Sequence, residues 1–207
     1  MKIGQIRLVH GIFSNICLSL VFSLLISIFS LVFAIFNNDL TMLKAIFIQN
    51  LIRLLLSICI FFIFISIQND NKRKIFDSLK VDFKSTCCLL ICFITIYLIS
   101  HSSNEFKTPL SLIVISGAMF LTGISEELIY RVIAMNCYEN YSWTVIICQA
   151  LVFAIIGHGI FNNFQTNILL RFPLGILLGV VYKVTHRLWY GAYLHGLYDT
   201  IIFAGFF

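Results

Sequence analysis

The sequence predicts an all-α fold, a polytopic transmembrane bundle of about seven membrane-spanning helices. Three observations carry this. Hydrophobic residues fill 60% of the 207 positions and charged residues only 11%, against about 25% charge in ordinary soluble domains. Mean hydropathy is +0.98. Uncharged runs extend from Leu8 to Asn38, Ser85 to Asn104, Thr108 to Ser125 and Asn140 to Leu170. Such a composition excludes a disordered tail, a disulfide-stapled secreted domain and a normal cytosolic enzyme.

A helix needs roughly 20 mainly apolar residues to cross a hydrocarbon core of about 30 Å. On that rule the spans fall near Gly11–Phe36, Leu43–Ile67, Thr86–Ser100, Pro109–Met135, Tyr141–Ile160, Asn167–Val184 and Leu188–Phe207. Helices are required because lipid cannot satisfy open backbone groups, and the short alternating segments of an outer-membrane barrel are absent. The first span is too long for a signal-peptide core, and no small-residue cleavage pattern follows it. Within it, Ser19, Ser23, Ser27 and Ser30 follow a helical stripe. Between the second and third spans, the basic cluster of residues 69–84 is interleaved with Asp70, Asp77 and Asp82, the pattern of a solvated loop or interfacial helix. In the sixth span Gly175 and Gly179 form a small-xxx-small pair for close helix packing.

Loop charges set the expected orientation. Lys2, Arg7, Lys72, Arg73, Lys74, Lys80, Lys84, Lys183 and Arg187 fall on one side, and Lys44, Lys107 and Arg171 on the other. The positive-inside rule then puts the N-terminus in the cytoplasm of a multi-pass cell-membrane protein. The net charge of +5 is this topology signal, and no nucleic-acid partner is expected. The seven cysteines fall mostly inside spans and lack a paired C-x-x-C spacing, so they read as small buried apolar residues.

Charge inside a bilayer costs at least about 2.5–3.5 kcal/mol per group, so the intramembrane polar residues need a reason to be there. Arg53 stands alone in the second span and is expected to pair with a distant carboxylate or to snorkel. Glu126 and Glu127 lie late in the fourth span, with Arg131 four residues after Glu127. That spacing puts Glu127 and Arg131 on one face. Glu126 is turned away by about 100°, leaving it free to handle protons or bind an ion. His158 lies in the fifth span, and His195 and Asp199 stand one turn apart in the seventh. Imidazoles and carboxylates on separate helices can hold a divalent metal with an open water position. Equally, Glu126 can activate water directly while His195 and Asp199 steady an oxyanion. Both routes point to hydrolysis.

On these residues the chain resembles the CPBP family of intramembrane proteases, named for CAAX and bacteriocin processing and also called the Abi family. The family pattern is Glu-Glu-x-x-x-Arg, Phe-x-x-x-His and His-x-x-x-Asn/Asp on successive helices. Glu126-Glu127…Arg131 and His195…Asp199 match it. The second motif departs, because Ala154 stands four residues before His158 and Phe153 five before. The resemblance covers about residues 112–207, including Gly175, Gly179 and Trp189. It divides the chain into N-terminal accessory helices (1–105) and a catalytic helical core (106–207). It implies an intramembrane endopeptidase in which Glu126 activates water and Glu127–Arg131 supports it. His158 and His195 are then ligands or proton handlers beside Asp199. Glu126, His158 and His195 are the expected ligands of a divalent metal, zinc by expectation, unless the mechanism is metal-free. The implied partners are the lipid bilayer and a membrane-associated substrate, prenylated protein or bacteriocin- or pheromone-type peptide. A non-catalytic immunity or scaffold protein, or an ion-coupled transporter, are the rival readings.

One geometric tension accompanies this. If both spans start at one level, His195 and His158 differ in depth by about 15 Å. The fifth helix is therefore expected to start well below the membrane core, or the helices to tilt. Glu126 and His158 align readily if the hairpin between them turns near Ser142.

Overall fold

A computed structural model describes residues 3–36, 41–67, 72–102, 109–138, 142–158 and 164–203. Helix α1 (Ile3–Phe36) and α2 (Met42–Ile67) are followed by the short α3 (Lys72–Ser78) and by α4 (Phe83–Ser102). Helix α5 (Pro109–Glu127) runs on through a π-helical turn, Leu128–Ile133, into Ala134–Asn136. Helix α6 (Trp143–Leu151) likewise ends in a π turn, Val152–Gly157. Helix α7 (Phe172–Thr185) is entered through Phe164–Thr166 and the π turn Asn167–Arg171, and α8 spans Leu188–Phe203. All regular structure among the described residues is helical.

Five helical stretches are long and apolar enough to cross a membrane: Leu8–Phe33, Met42–Ile67, Lys72–Ile99, Ser111–Asn136 and Phe164–Thr185. Trp143–Gly157 is apolar but shorter, and α8 has 16 residues. Besides the short α3, the described residues hold seven helices, consistent with the predicted count of about seven, and the chain is an integral membrane protein. The expected end of the last span, residues 204–207, lies outside the described residues.

Small residues decide which helices touch. A Cβ on Gly123 of α5 would meet the Ala192 carbonyl oxygen at 2.5 Å and the Gly196 nitrogen at 2.9 Å. One on Gly196 of α8 would meet Phe120 Cα at 2.9 Å. The α5 and α8 backbones thus lie against each other, the close approach that membrane helices use where water cannot drive packing. Gly175 and Gly179 do the same for α7 against α6, facing Ala150, Phe153 and Ile146. A hydrogen bond holds α2 on α5, with Thr122 Oγ1 donating to Asn50 Oδ1 at 2.5 Å.

The charged segment between α2 and α4 behaves as an interfacial strap. Ile75 and Ser78 of α3 are buried, while Lys72, Arg73 and Lys74 are exposed. Arg187 donates to the Asp77 carbonyl, the Trp189 indole donates to the Leu79 carbonyl at 2.7 Å, and the Tyr190 hydroxyl donates to Asp82 Oδ1 at 3.0 Å. The start of α8 is thereby pinned, and with it the level of His195 two turns along.

Candidate active site

Three helices deliver the polar residues to one place. Glu126 and Glu127 come from the end of α5, His158 from the residue that follows the α6 π turn, and His195 and Asp199 from the middle of α8. Their convergence has a local cause in each case. The α5–α8 glycine contact sits one turn before Glu127 and next to His195. Helix α6 covers only 15 residues from Trp143 to Gly157, about 22 Å, so His158 is reached without a full crossing. His158 lies 15 residues from the start of α6, which Ser142 caps by accepting from the Val145 N–H at 3.3 Å, and His195 seven from the start of α8. Their meeting at Glu126 requires α6 to start about 12 Å further from the site than α8.

Glu127 is the fixed carboxylate. Its Oε2 faces Arg131 Nε at 3.2 Å, and its Oε1 lies 3.1 Å from His195 Nδ1. Both side chains of the pair are buried. Arg131 Nη2 also donates to the Gly175 carbonyl at 3.4 Å, and its guanidinium lies 4.9 Å from the Phe153 ring centroid. A Cβ on Gly191 would meet Glu127 Oε2 at 2.8 Å, so the absent side chain makes room for this carboxylate. Removing one partner of such a buried pair leaves an uncompensated charge, which explains why the two occur together.

Glu126 is arranged differently, and here one expectation is corrected. The carboxylate is not free as a whole, because Arg53 Nη1 of α2 donates to its Oε1 at 2.9 Å. The distant carboxylate that Arg53 needs is therefore Glu126. The second oxygen, Oε2, is buried without a hydrogen-bond partner. It lies 3.6 Å from His158 Nε2 and 3.7 Å from His195 Nε2. His195 Nε2 is also 3.6 Å from Asp199 Oδ2. With Nδ1 directed at Glu127, the His195 ring is oriented so that Nε2 faces this group.

The departure from the Phe-x-x-x-His pattern is absorbed by the backbone. Residues Val152–Gly157 form a π turn, in which hydrogen bonds run from i to i+5, so a phenylalanine five positions before the histidine returns to the same side. The Phe153 ring centroid is 4.9 Å from that of His158 and 5.6 Å from that of His195, both edge-to-face. One residue shift in sequence thus leaves the aromatic contact with His158 in place.

Glu126, His158 and Arg53 open onto a cavity of about 330 Å³, walled also by Phe22, Ser23, Ile26 and Ser27 of α1 and by Tyr130. Half of the serine stripe therefore faces the cavity, and Ser23 donates to the Ile156 carbonyl at 3.5 Å. Among the described residues, no group of three or more His, Cys, Asp or Glu side chains is gathered so that it holds a metal ion as it stands. The donors with suitable chemistry are Glu126 Oε2 and the two Nε2 atoms.

Sequence reasoning missed the place of Arg53, Tyr130 and the α1 serines in this site. A lone arginine in an apolar span was the one available signal, and it named neither partner nor direction.

The comparisons with known proteins give the class. Residues 108–201 match the model of the Rce1-like family, the type II CAAX prenyl endopeptidases. This segment holds Glu126, Glu127, Arg131, His158, His195 and Asp199, and over it the chain is similar to that protease family of the CPBP group. Comparison with curated proteins and with solved structures finds no match.

Proposed function

We propose that the protein hydrolyses a peptide bond within the membrane by direct water activation at Glu126. The observation that carries this is the free oxygen Glu126 Oε2, buried at the edge of the cavity with two imidazole nitrogens 3.6 and 3.7 Å away. A water resting on these three atoms loses a proton to Oε2, and its oxygen adds to the substrate carbonyl carbon. His195, its Nδ1 directed at Glu127 Oε1, donates from Nε2 to the developing oxyanion. Collapse of the adduct breaks the C–N bond. The proton held by Glu126 then passes to the leaving nitrogen, with His158 beside it as relay. Glu127 and Arg131 touch no reacting atom; they position His195.

If zinc is resident, Glu126, His158 and His195 are the residues that would hold it, and it would supply an acidified water. The steps above do not require it. The family description supports a membrane-associated substrate of the CAAX type, with a bacteriocin or pheromone precursor as the alternative. It is presented at the cell membrane with the protein's N-terminus on the cytoplasmic side.

The test is Glu126→Gln in the full chain, purified and assayed on prenylated and unmodified peptides with metal content measured in parallel. Loss of a general base lowers turnover by about 10²–10⁴-fold, while the thermal unfolding midpoint stays near that of the wild type. Undiminished turnover in this variant would sink the mechanism. An active preparation free of metal removes the zinc alternative.

A further inference from the structure

Arg53 enters the mechanism only through Glu126, and one contact does not exhaust it. A guanidinium carries five N–H donors in a rigid fork, and Glu126 Oε1 takes one of them at 2.9 Å. The side chain is 27% exposed, and the exposure opens in two directions. Inward it lines the cavity of about 330 Å³ together with Glu126 and His158. Outward it lines a crevice between α1 and α2, bounded by Ile26, Phe29 and Ile52. No other cation among the described residues lines the cavity. Arg131 is fully buried against Glu127, and Arg171 gives its Nη1 to Asn167 Oδ1 at 2.5 Å. The one carboxylate hydrogen-bonded to Arg53, Glu126, is shared with two imidazoles, and although Asp199 also lies within the field of Arg53, the guanidinium has donors left for a second anion. An arginine fork fits a carboxylate bidentately.

We propose that Arg53, on a helix outside the family-matched segment, receives the free α-carboxylate at the C-terminus of the substrate. The assignment rests on the hydrolytic reading for its placement of the scissile bond at Glu126, which is in direct contact with Arg53. Helix α2 lies outside the family-matched residues 108–201, so this contact belongs to the accessory half of the chain. An acidic side chain near the chain end offers the same chemistry, and the substrates below separate the two.

The experiment uses the full-length protein in detergent and three synthetic S-farnesylated peptides differing only at the C-terminus: free acid, amide, and amide with glutamate as last residue. Binding of reduced-bond versions that resist hydrolysis is measured first, then cleavage of the ordinary peptides. The wild type is expected to bind the acid about 10- to 100-fold more tightly than the amide, the range for a hydrogen-bonded charge, with the preference appearing in KM rather than kcat. Arg53→Gln brings the acid-to-amide ratio near one, and Arg53→Lys retains part of it. A wild-type ratio near one overturns the proposal. So does an Arg53→Gln variant that weakens both peptides alike, because Arg53 then acts only on Glu126. Equal preference for the acid and the glutamate amide overturns the α-carboxylate assignment. Acid-selective binding without cleavage leaves the proposal standing and removes the hydrolytic reading instead.

Discussion

Helix α5 and the first two helices of this molecule are buried to very different extents. In the candidate span Ser111–Asn136, 61% of the most apolar window is buried inside the protein, against 11% for Leu8–Phe33 and 22% for Met42–Ile67. The difference is one of purpose. Helix α5 is surrounded by protein because it carries two carboxylates and an arginine that lipid would not tolerate. Helices α1 and α2 face lipid over most of their circumference, with Phe13, Leu24, Leu31, Leu55 and Phe62 exposed. Yet they wall the cavity and supply Arg53. A nearly generic apolar helix can therefore complete a site with one turn's worth of specific residues.

The comparison breaks most sharply in the buried helix. Arg131→Met removes the counter-charge of Glu127, with both side chains buried. The expected loss is about 3–5 kcal/mol, the cost of stranding one member of a buried pair. Denaturation of the purified protein in micelles measures it. Glu127→Gln combined with Arg131→Met should recover most of the stability but not the activity, because His195 loses its anchor at Nδ1. If Arg131→Met alone unfolds no more easily than the wild type, the buried pair is not what holds this region.

A second, smaller effect concerns packing rather than charge. Gly196→Val puts a branched side chain where even a lone Cβ would stand only 2.9 Å from Phe120 Cα. Overpacking of this kind costs about 1–3 kcal/mol. It should also separate α8 from α5, so cleavage falls further than stability does. Equal activity at equal folded fraction would mean that the glycine contact does not set the distance between His195 and the carboxylates.

Part of this arrangement is legible in the sequence for physical reasons. Glu127 with Arg131, and His195 with Asp199, are four apart on continuous helices, so their pairing follows from the helical period alone. Glu126 meets His158 because a hairpin near Ser142 fixes its own register. The pairing of Arg53 with Glu126 spans 73 positions, and no local period reports which face of α2 turns inward. The π turns are hidden for a different reason. An extra residue in one turn leaves composition and apolarity unchanged, yet it decides that Phe153, rather than Ala154, packs on His158. The backbone contact of Gly123 with Gly196 is equally silent, since small residues announce close packing without naming the partner helix.

The weakest expected effect sharpens the contrast within a single turn of α1. Leu24 is 61% exposed, while its neighbour Ser23 lines the cavity and reaches the Ile156 carbonyl. Leu24→Ala changes a lipid-facing position and should leave cleavage and stability within about 0.5 kcal/mol of the wild type. Ser23→Leu fills cavity space next to Glu126 and His158, and should raise KM several-fold with little change in the thermal midpoint. Steady-state kinetics on one peptide with the two variants side by side decide the matter. Equal responses at the two positions would make α1 a passive lipid-facing helix, and the cavity wall would then belong to the C-terminal half alone.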